Sequence, residues 1–263
     1  MTTADTDPIH AAAARLATAA RTGIPCAPVR DLIGSDDFGT AYQVQSLNTD
    51  ALLASGKRIV GRKIGLTSPA VQKQLGVNQP DFGVLFDDME CAADETVPMT
   101  RLLQPRIEAE IAFVLSADID TEISADDASG YVETVQAAFE IVDSRIAGWD
   151  ITLSDTVADN ASSGLYLLGE SRSVAEVGEL ADAEMTMIEN GRQCSQGVGS
   201  DCLGSPWNAL AWLANTSRSY GSPLRAGEVV LSGALGPVVR VQPGATYTAD
   251  ITGLGSVRAT FSH

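Results

Sequence analysis

Apolar and polar positions change period along this chain, and the change predicts its elements. Residues 8–22 are Ala-rich with helical spacing, and Gly23 followed by Pro25 supplies a stop. A second helix is predicted over 38–55, ended by Gly56. Val60 to Leu66 reads as a short strand bearing Lys63. Ser68 then caps a short helix with Pro69 at its first position, running to Leu75. Asn78 to Gly83 reads as a turn-rich loop. Further on, Ile107–Leu115 and Ala137–Val142 read as strands, separated by a short helix over 126–133 that opens at Ser124. Trp149 to Gly164 reads as a long polar loop. The C-terminal half carries strand patterns at 185–189, 228–232, 246–252 and 256–261, and a helix at 206–219 started by Pro206. Short strands punctuated by Gly and Pro, with helices around them, predict an α+β fold with a mixed, β-rich core. The helical part covers residues 1–57 and the β-rich part 58–263, with no repeat or low-complexity linker.

Composition narrows the function classes. At 263 residues and 44% hydrophobic, the chain can bury a sizeable core. A net charge of -17 without clustered Lys or Arg argues against nucleic acid as a partner. It also means that an anionic substrate needs a local cation. No apolar run reaches the ~20 residues of a membrane span. The polar start, Met1 to Pro8, is unlike a signal peptide, so a soluble, cytoplasmic protein is expected. Cys26, Cys91, Cys194 and Cys202 lack CxxC spacing and read as reduced thiols. The two histidines, His10 and His263, lie near the chain ends. That removes His-based triads and zinc sites, and leaves acid–base chemistry to carboxylates, Lys, Tyr or metal-bound water.

One stretch stands out against this background. In Arg106-Ile107-Glu108-Ala109-Glu110-Ile111, strand alternation puts Glu108 and Glu110 on one face and the apolar residues on the other. Glu140 sits in the apolar run Phe139-Glu140-Ile141-Val142. Such glutamates are either solvated on an exposed face or offset by a cation or a shared proton. Three carboxylates without histidine point to a hard cation, Mg²⁺ or Mn²⁺.

Six motifs in order resemble the fumarylacetoacetate hydrolase superfamily, and within it the 2-hydroxypenta-2,4-dienoate (2-oxopent-4-enoate) hydratases. They are Gly61-Arg62-Lys63-Ile64-Gly65-Leu66-Thr67-Ser68, Leu75–Gly83, Gln104–Phe113, Glu140-Ile141-Val142-Asp143-Ser144-Arg145, Asp159–Gly164 and Ser232–Pro237. The resemblance implies a mixed-β catalytic domain over 58–263 behind an N-terminal helical segment. It implies Mg²⁺ or Mn²⁺ on Glu108, Glu110 and Glu140, and a homo-oligomer that can associate with a pathway enzyme. The implied reaction adds water to a small 2-oxo or 2-hydroxydienoate substrate in the meta-cleavage degradation of aromatic compounds. The alternatives are a 2-oxo-3-hexenedioate (4-oxalocrotonate) decarboxylase, a C–C bond hydrolase of the same superfamily, or a non-catalytic partner subunit.

Within that frame Lys63 and Asp81 are the candidate proton movers. Burial of Lys63 between Gly61 and Gly65 is expected to lower its pKa, and Asp81 is expected on a loop after Pro80. By residue type alone Lys63 could be an exposed strand lysine and Asp81 a turn former. Ser162 and Ser163 are candidates to bind the substrate carboxylate, or ordinary loop serines. Asp143 supports the metal through water or pairs with Arg145. Arg106 reads as structural, and Trp207 and Trp212 as packing residues. The glycine runs near Gly65 and Gly233 match neither nucleotide-binding spacing.

Overall fold

The computed structural model describes residues 7–68, 72, 79–92 and 95–263. The helix expected from Pro69 to Leu75 lies outside the described residues, Gln72 excepted. Helix α1 (Pro8–Thr22) starts where the Asp7 carboxylate accepts from the Ile9 N–H. It ends at Gly23, whose φ of 69° lets its N–H bond Ala19 O. A short helix, α2 (Arg30–Ile33), was not anticipated. Its start is held from afar, because Asp155 Oδ1 accepts from both Val29 and Arg30 N–H. Helix α3 (Phe38–Ala54) is capped by Asp37 through Thr40 N–H.

Next come β1 (Ile59–Gly65), β2 (Asp81–Phe86), β3 (Thr96–Val97) and β4 (Arg106–Leu115). Helix α4 (Ala125–Ala128) leads through a 3-10 turn into β5 (Val132–Val142). The expected helix over 126–133 therefore ends early, and the strand begins five residues before 137. Helix α5 (Leu153–Ala158) and β6 (Ser163–Leu168) occupy much of the expected polar loop. All six residues of α5 are buried, and their polar groups are satisfied inside: Asp155 by Val29 and Arg30, Ser154 by Ser35 O. The chain continues through β7 (Arg172–Ser173), β8 (Glu184–Glu189), β9 (Arg192–Val198), α6 (Pro206–Ser219), β10 (Val229–Leu231), β11 (Val239–Arg240), β12 (Thr246–Ile251) and β13 (Gly255–Phe261).

The larger sheet runs β2-β1-β10-β4-β5-β6, with β11 also paired to β4 and β7 to β5. It is mixed, since β1 and β10 are parallel and the other pairs antiparallel. The sheet curls until its edges meet. Tyr166 N–H on β6 donates to Met89 O just past β2, and Cys91 N–H donates to Tyr166 O. Along the rest of the junction Asn160 imitates a strand: its side chain accepts from Val84 N–H at 2.7 Å and donates to Val84 O at 2.9 Å. Gln45 and Tyr42 satisfy Phe82 in the same way. Closure leaves few unpaired edge groups.

Alternation then gives the barrel an inside and an outside. Leu85, Ala112, Ala138, Tyr166, Val229 and Leu231 form a small buried cluster of their own, the interior. Ile107, Ile111, Phe113, Phe139 and Ile141 face outward into the main core. That core includes the second sheet, β3-β13-β12-β8-β9, and the apolar faces of the first helices (Ala12, Leu16, Ile33, Val44). Phe113 stacks on Trp207 with ring centroids 4.7 Å apart, so Trp207 packs as expected. Among the described residues no helix is long and apolar enough to cross a membrane.

Candidate metal centre

Strand register brings the charged residues to the interior face. Glu108 lies opposite Glu140, and Glu110 opposite Ala138. Leu231 links Ala112 to Lys63, and Gly65 lies opposite Asp81. Alternation therefore points Glu108, Glu110, Glu140, Lys63 and Asp81 to the same side as the interior cluster. Asp81 is the first residue of β2 and fully buried, not a loop residue. β1 supplies the partner that the local sequence could not reveal.

One carboxylate oxygen from each of Glu108, Glu110 and Glu140 lies within 4.8 Å of the others. Glu110 is 0% and Glu140 1% exposed, while Glu108 is partly exposed. Lys63 Nζ forms an ion pair with Glu140 Oε1 at 3.1 Å. Among the described residues Glu110 Oε1 and Glu140 Oε2 have no hydrogen-bond partner, and Glu140 Oε1 has only the Lys63 ammonium. Four carboxylates facing one ammonium leave a buried excess of negative charge. Orphaned acceptors of this kind are costly unless a cation or protons offset them. An all-oxygen donor set of this size fits a hard divalent cation.

The electrostatics follow from this crowding. Burial pushes the Glu108 carboxyl up to about 7, with Glu140 adding to the effect and Lys63 opposing it. Glu110 is raised well above the ordinary carboxylate range by burial and by its two glutamate neighbours. Glu140 is raised by burial, against the pull of Lys63. Asp81 is raised by burial, again opposed by Lys63. Lys63 departs from the expectation. Burial alone lowers its pKa, but Glu140, Asp81, Glu108 and Glu110 together outweigh burial and hold it above the ordinary lysine value.

Two glycines make room for the cluster. A Cβ on Gly65 would lie 2.1 Å from Asp81 Oδ1. Gly233, with φ of 101°, donates its N–H to Glu110 Oε2 at 2.8 Å, and a Cβ there would lie 2.4 Å from Thr67. The preceding Ser232 exchanges hydrogen bonds with the Ile111 backbone.

Asn160, Ala161 and Ser162 are consecutive left-handed residues with φ of 54°, 50° and 54°. Such conformations cost about 1–3 kcal/mol each and cluster at functional sites. The Ser162 hydroxyl lies 3.3 Å from Thr156 Oγ1, and Thr156 flanks Asp81. The Ser163 hydroxyl donates to Asn160 O. Asp143 is bound elsewhere: it accepts from the backbone N–H groups of Leu103 and Gln104. Arg145 pairs with Asp159, not with the Asp143 carboxylate. Sequence reading missed Gly233, Thr67, Thr156 and Asn160. Thr67 falls in the Gly61–Ser68 motif, Asn160 in Asp159–Gly164 and Gly233 in Ser232–Pro237, while Thr156 lies in none.

A closed mixed barrel with a carboxylate trio and a lysine on its inner face gives an α+β fold carrying an oxygen-donor group that could hold a cation. Residues 62–262 match the fumarylacetoacetate (FAA) hydrolase C-terminal family, and the chain belongs to it. It is 51% identical over 260 residues to a 2-keto-4-pentenoate hydratase of Burkholderia vietnamiensis, covering 98% of this chain and 99% of that protein. It is 41% identical over 251 residues to a 2-hydroxyhexa-2,4-dienoate hydratase of Comamonas testosteroni, covering 94% and 95%. Among solved structures it superimposes on the 4-oxalocrotonate decarboxylase of Pseudomonas putida G7, complexed with magnesium and adipate. That match has a TM-score of 0.91 and 32% identity, over 98% of this chain and 99% of that one. The same decarboxylase is also known with calcium and acetate.

Proposed function

We propose that this chain is a metal-dependent 2-keto-4-pentenoate hydratase, a hydro-lyase. It adds water to 2-hydroxypenta-2,4-dienoate to give 4-hydroxy-2-oxopentanoate, within the meta-cleavage degradation of aromatic compounds. The observation that carries this reading is the buried Glu108–Glu110–Glu140 trio with Lys63 against it, in a chain half identical to such hydratases.

Glu108, Glu110 and Glu140 would hold Mg²⁺ or Mn²⁺, which when bound supplies Lewis acidity towards the oxygens of a 2-oxo acid. Lys63 keeps its proton and donates a hydrogen bond to the substrate 2-oxygen. Asp81, buried beside Lys63 and raised in pKa, takes the proton of the 2-hydroxyl and returns one at C5, giving the 2-oxo-3-enoate. Water then adds at C4, and C3 takes the remaining proton. Ser162 donates to the substrate carboxylate, while Ser163 braces the strained turn through Asn160 O. The apolar floor formed by Ala112, Ala138 and Leu231 closes the inner end of the site to water.

The decarboxylase likeness supports a second reading, release of CO₂ from 2-oxo-3-hexenedioate. Metal-loaded protein incubated with each substrate separates the two. Loss of dienol absorbance with the pentadienoate, absent after EDTA treatment and restored by Mg²⁺ or Mn²⁺, is the expected result. CO₂ from the hexenedioate without hydration of the pentadienoate would overturn it. A homo-oligomer, and association with a neighbouring pathway enzyme, belong to the same proposal and are tested by light scattering.

A further inference from the structure

Arg106 and Arg240 lie directly opposite each other across β4 and β11. Like charges in such register repel. Among the described residues neither guanidinium has a carboxylate within salt-bridge distance. Arg106 shares the interior face of β4 with Glu108 and Glu110, one two-residue step beyond Glu108, roughly 6.7 Å along the strand. Exposure grows in the same direction: Ala112 and Glu110 are buried, while Glu108 and Arg106 are partly exposed. β4 thus presents an apolar floor, then the carboxylates, then a guanidinium at the mouth.

The Arg106 side chain is braced. Its Cζ lies 4.2 Å from the centroid of the Trp149 ring. Trp149 is held in turn, with φ of 57° after Gly148 at 67° and its indole N–H donating to Gln104 O. The Gln104 side chain donates to Ser144 O and Ile146 O and accepts from Gly148 N–H. A left-handed tryptophan is strained, and here it is locked by one glutamine so that its ring supports one arginine. Two guanidiniums in register, one of them braced this way, repel each other across the strand pair. They do make a seat for an anion, in a chain whose net charge of -17 otherwise repels one.

We propose that Arg106 and Arg240 form a carboxylate-receiving pair at the mouth of the barrel. This rests on the reading that the substrate is the anion of a 2-oxo acid. The carboxylate has two possible sources. It is the substrate's single carboxylate on its way to the centre, or the far carboxylate of a six-carbon dicarboxylate anchored there, whose length matches the step of roughly 6.7 Å.

The test uses the full-length, Mn²⁺-loaded protein with Arg106→Gln and Arg240→Gln. Arg225→Gln serves as the net-charge control, because Arg225 pairs with Asp118 and Asp120 near the other end of β4. Calorimetry measures binding of adipate and of hexanoate. Kinetics measure kcat and kcat/KM for hydration of the pentadienoate at low and high salt. Each mouth variant is expected to lose roughly ten-fold in one arm, with Mn²⁺ affinity and kcat kept. A lower kcat/KM with a flattened salt dependence identifies the incoming substrate carboxylate. A lost preference for adipate over hexanoate identifies the far carboxylate. The proposal is overturned if both variants match wild type in both arms, or if Arg225→Gln reproduces the loss. Arg240 is exposed, so its variant decides the matter even if Arg106→Gln folds poorly. If wild type hydrates nothing, the hydratase reading fails, while the calorimetric arm still decides the fate of the pair.

Discussion

Gly233 donates its backbone N–H to Glu110 Oε2 at 2.8 Å, while the other oxygen, Oε1, has no hydrogen-bond partner among the described residues. No side chain fits at 233, because φ is 101° and Thr67 stands 2.4 Å from the Cβ position. Gly233→Ala is expected to weaken Mn²⁺ binding by about ten- to a hundred-fold, the usual range for disturbing a group that orients a ligand. Calorimetry on protein whose fold is checked by circular dichroism reads this directly. An unchanged affinity would show that the bond does not orient Glu110.

Glu110→Gln separates stability from function. It removes one of four carboxylates crowded around Lys63, so the metal-free variant should melt at a higher temperature than metal-free wild type. The same change should abolish both Mn²⁺ binding and the rise in melting temperature that Mn²⁺ gives wild type. A lower melting temperature for the metal-free variant would contradict the surplus of negative charge.

Lys63→Met should act in the opposite sense. It leaves Glu140 and its neighbours buried without their cation, a loss of about 3–5 kcal/mol for breaking a buried pair. Mn²⁺ should restore most of that stability but not activity, with kcat down by at least about a hundred-fold. Urea unfolding with and without Mn²⁺, alongside kinetics, measures both.

The raised Glu108 carboxyl sets a pH dependence. Its pKa rises from 4.5 to about 7 on folding, so the folded protein binds more protons than the unfolded chain between those values. The stability that Glu108 contributes to the metal-free protein is therefore fully present below the lower value and is lost as pH rises through about 7. Because a metal displaces that proton, Mn²⁺ affinity should rise over the same interval. Melting curves in EDTA across this range test the sign; stability that rises with pH there would refute it.

Asn160→Ala removes both hydrogen bonds to the Val84 backbone at the barrel junction. A cost of about 2 kcal/mol is expected, since two backbone groups lose their partners. Native-state hydrogen exchange at Val84 should quicken more than at Ile111, whose N–H donates to Ser232 Oγ away from the junction.

Much of this protein follows from local pattern. Alternation alone places Glu108 and Glu110 on one face of β4, and Ser205 with Pro206 starts α6 where the helical period begins. Lys63, Asp81, Glu108, Glu110 and Glu140, which face the barrel interior, each fall within one of the family motifs. Tertiary structure decided the rest. Both faces of β4 are buried, so alternation could not tell which was the barrel interior. Polarity misled over 149–164, because Asp155 and Asn160 are satisfied by Val29, Arg30 and Val84, residues far away in the chain. Lys63 shows the same limit. Its apolar neighbours in sequence predict a lowered pKa, but three other strands bring four carboxylates to it, and their summed charge outweighs burial. Local sequence sets which way a side chain points along a strand. Only the closure of the sheet determines which charges it meets there.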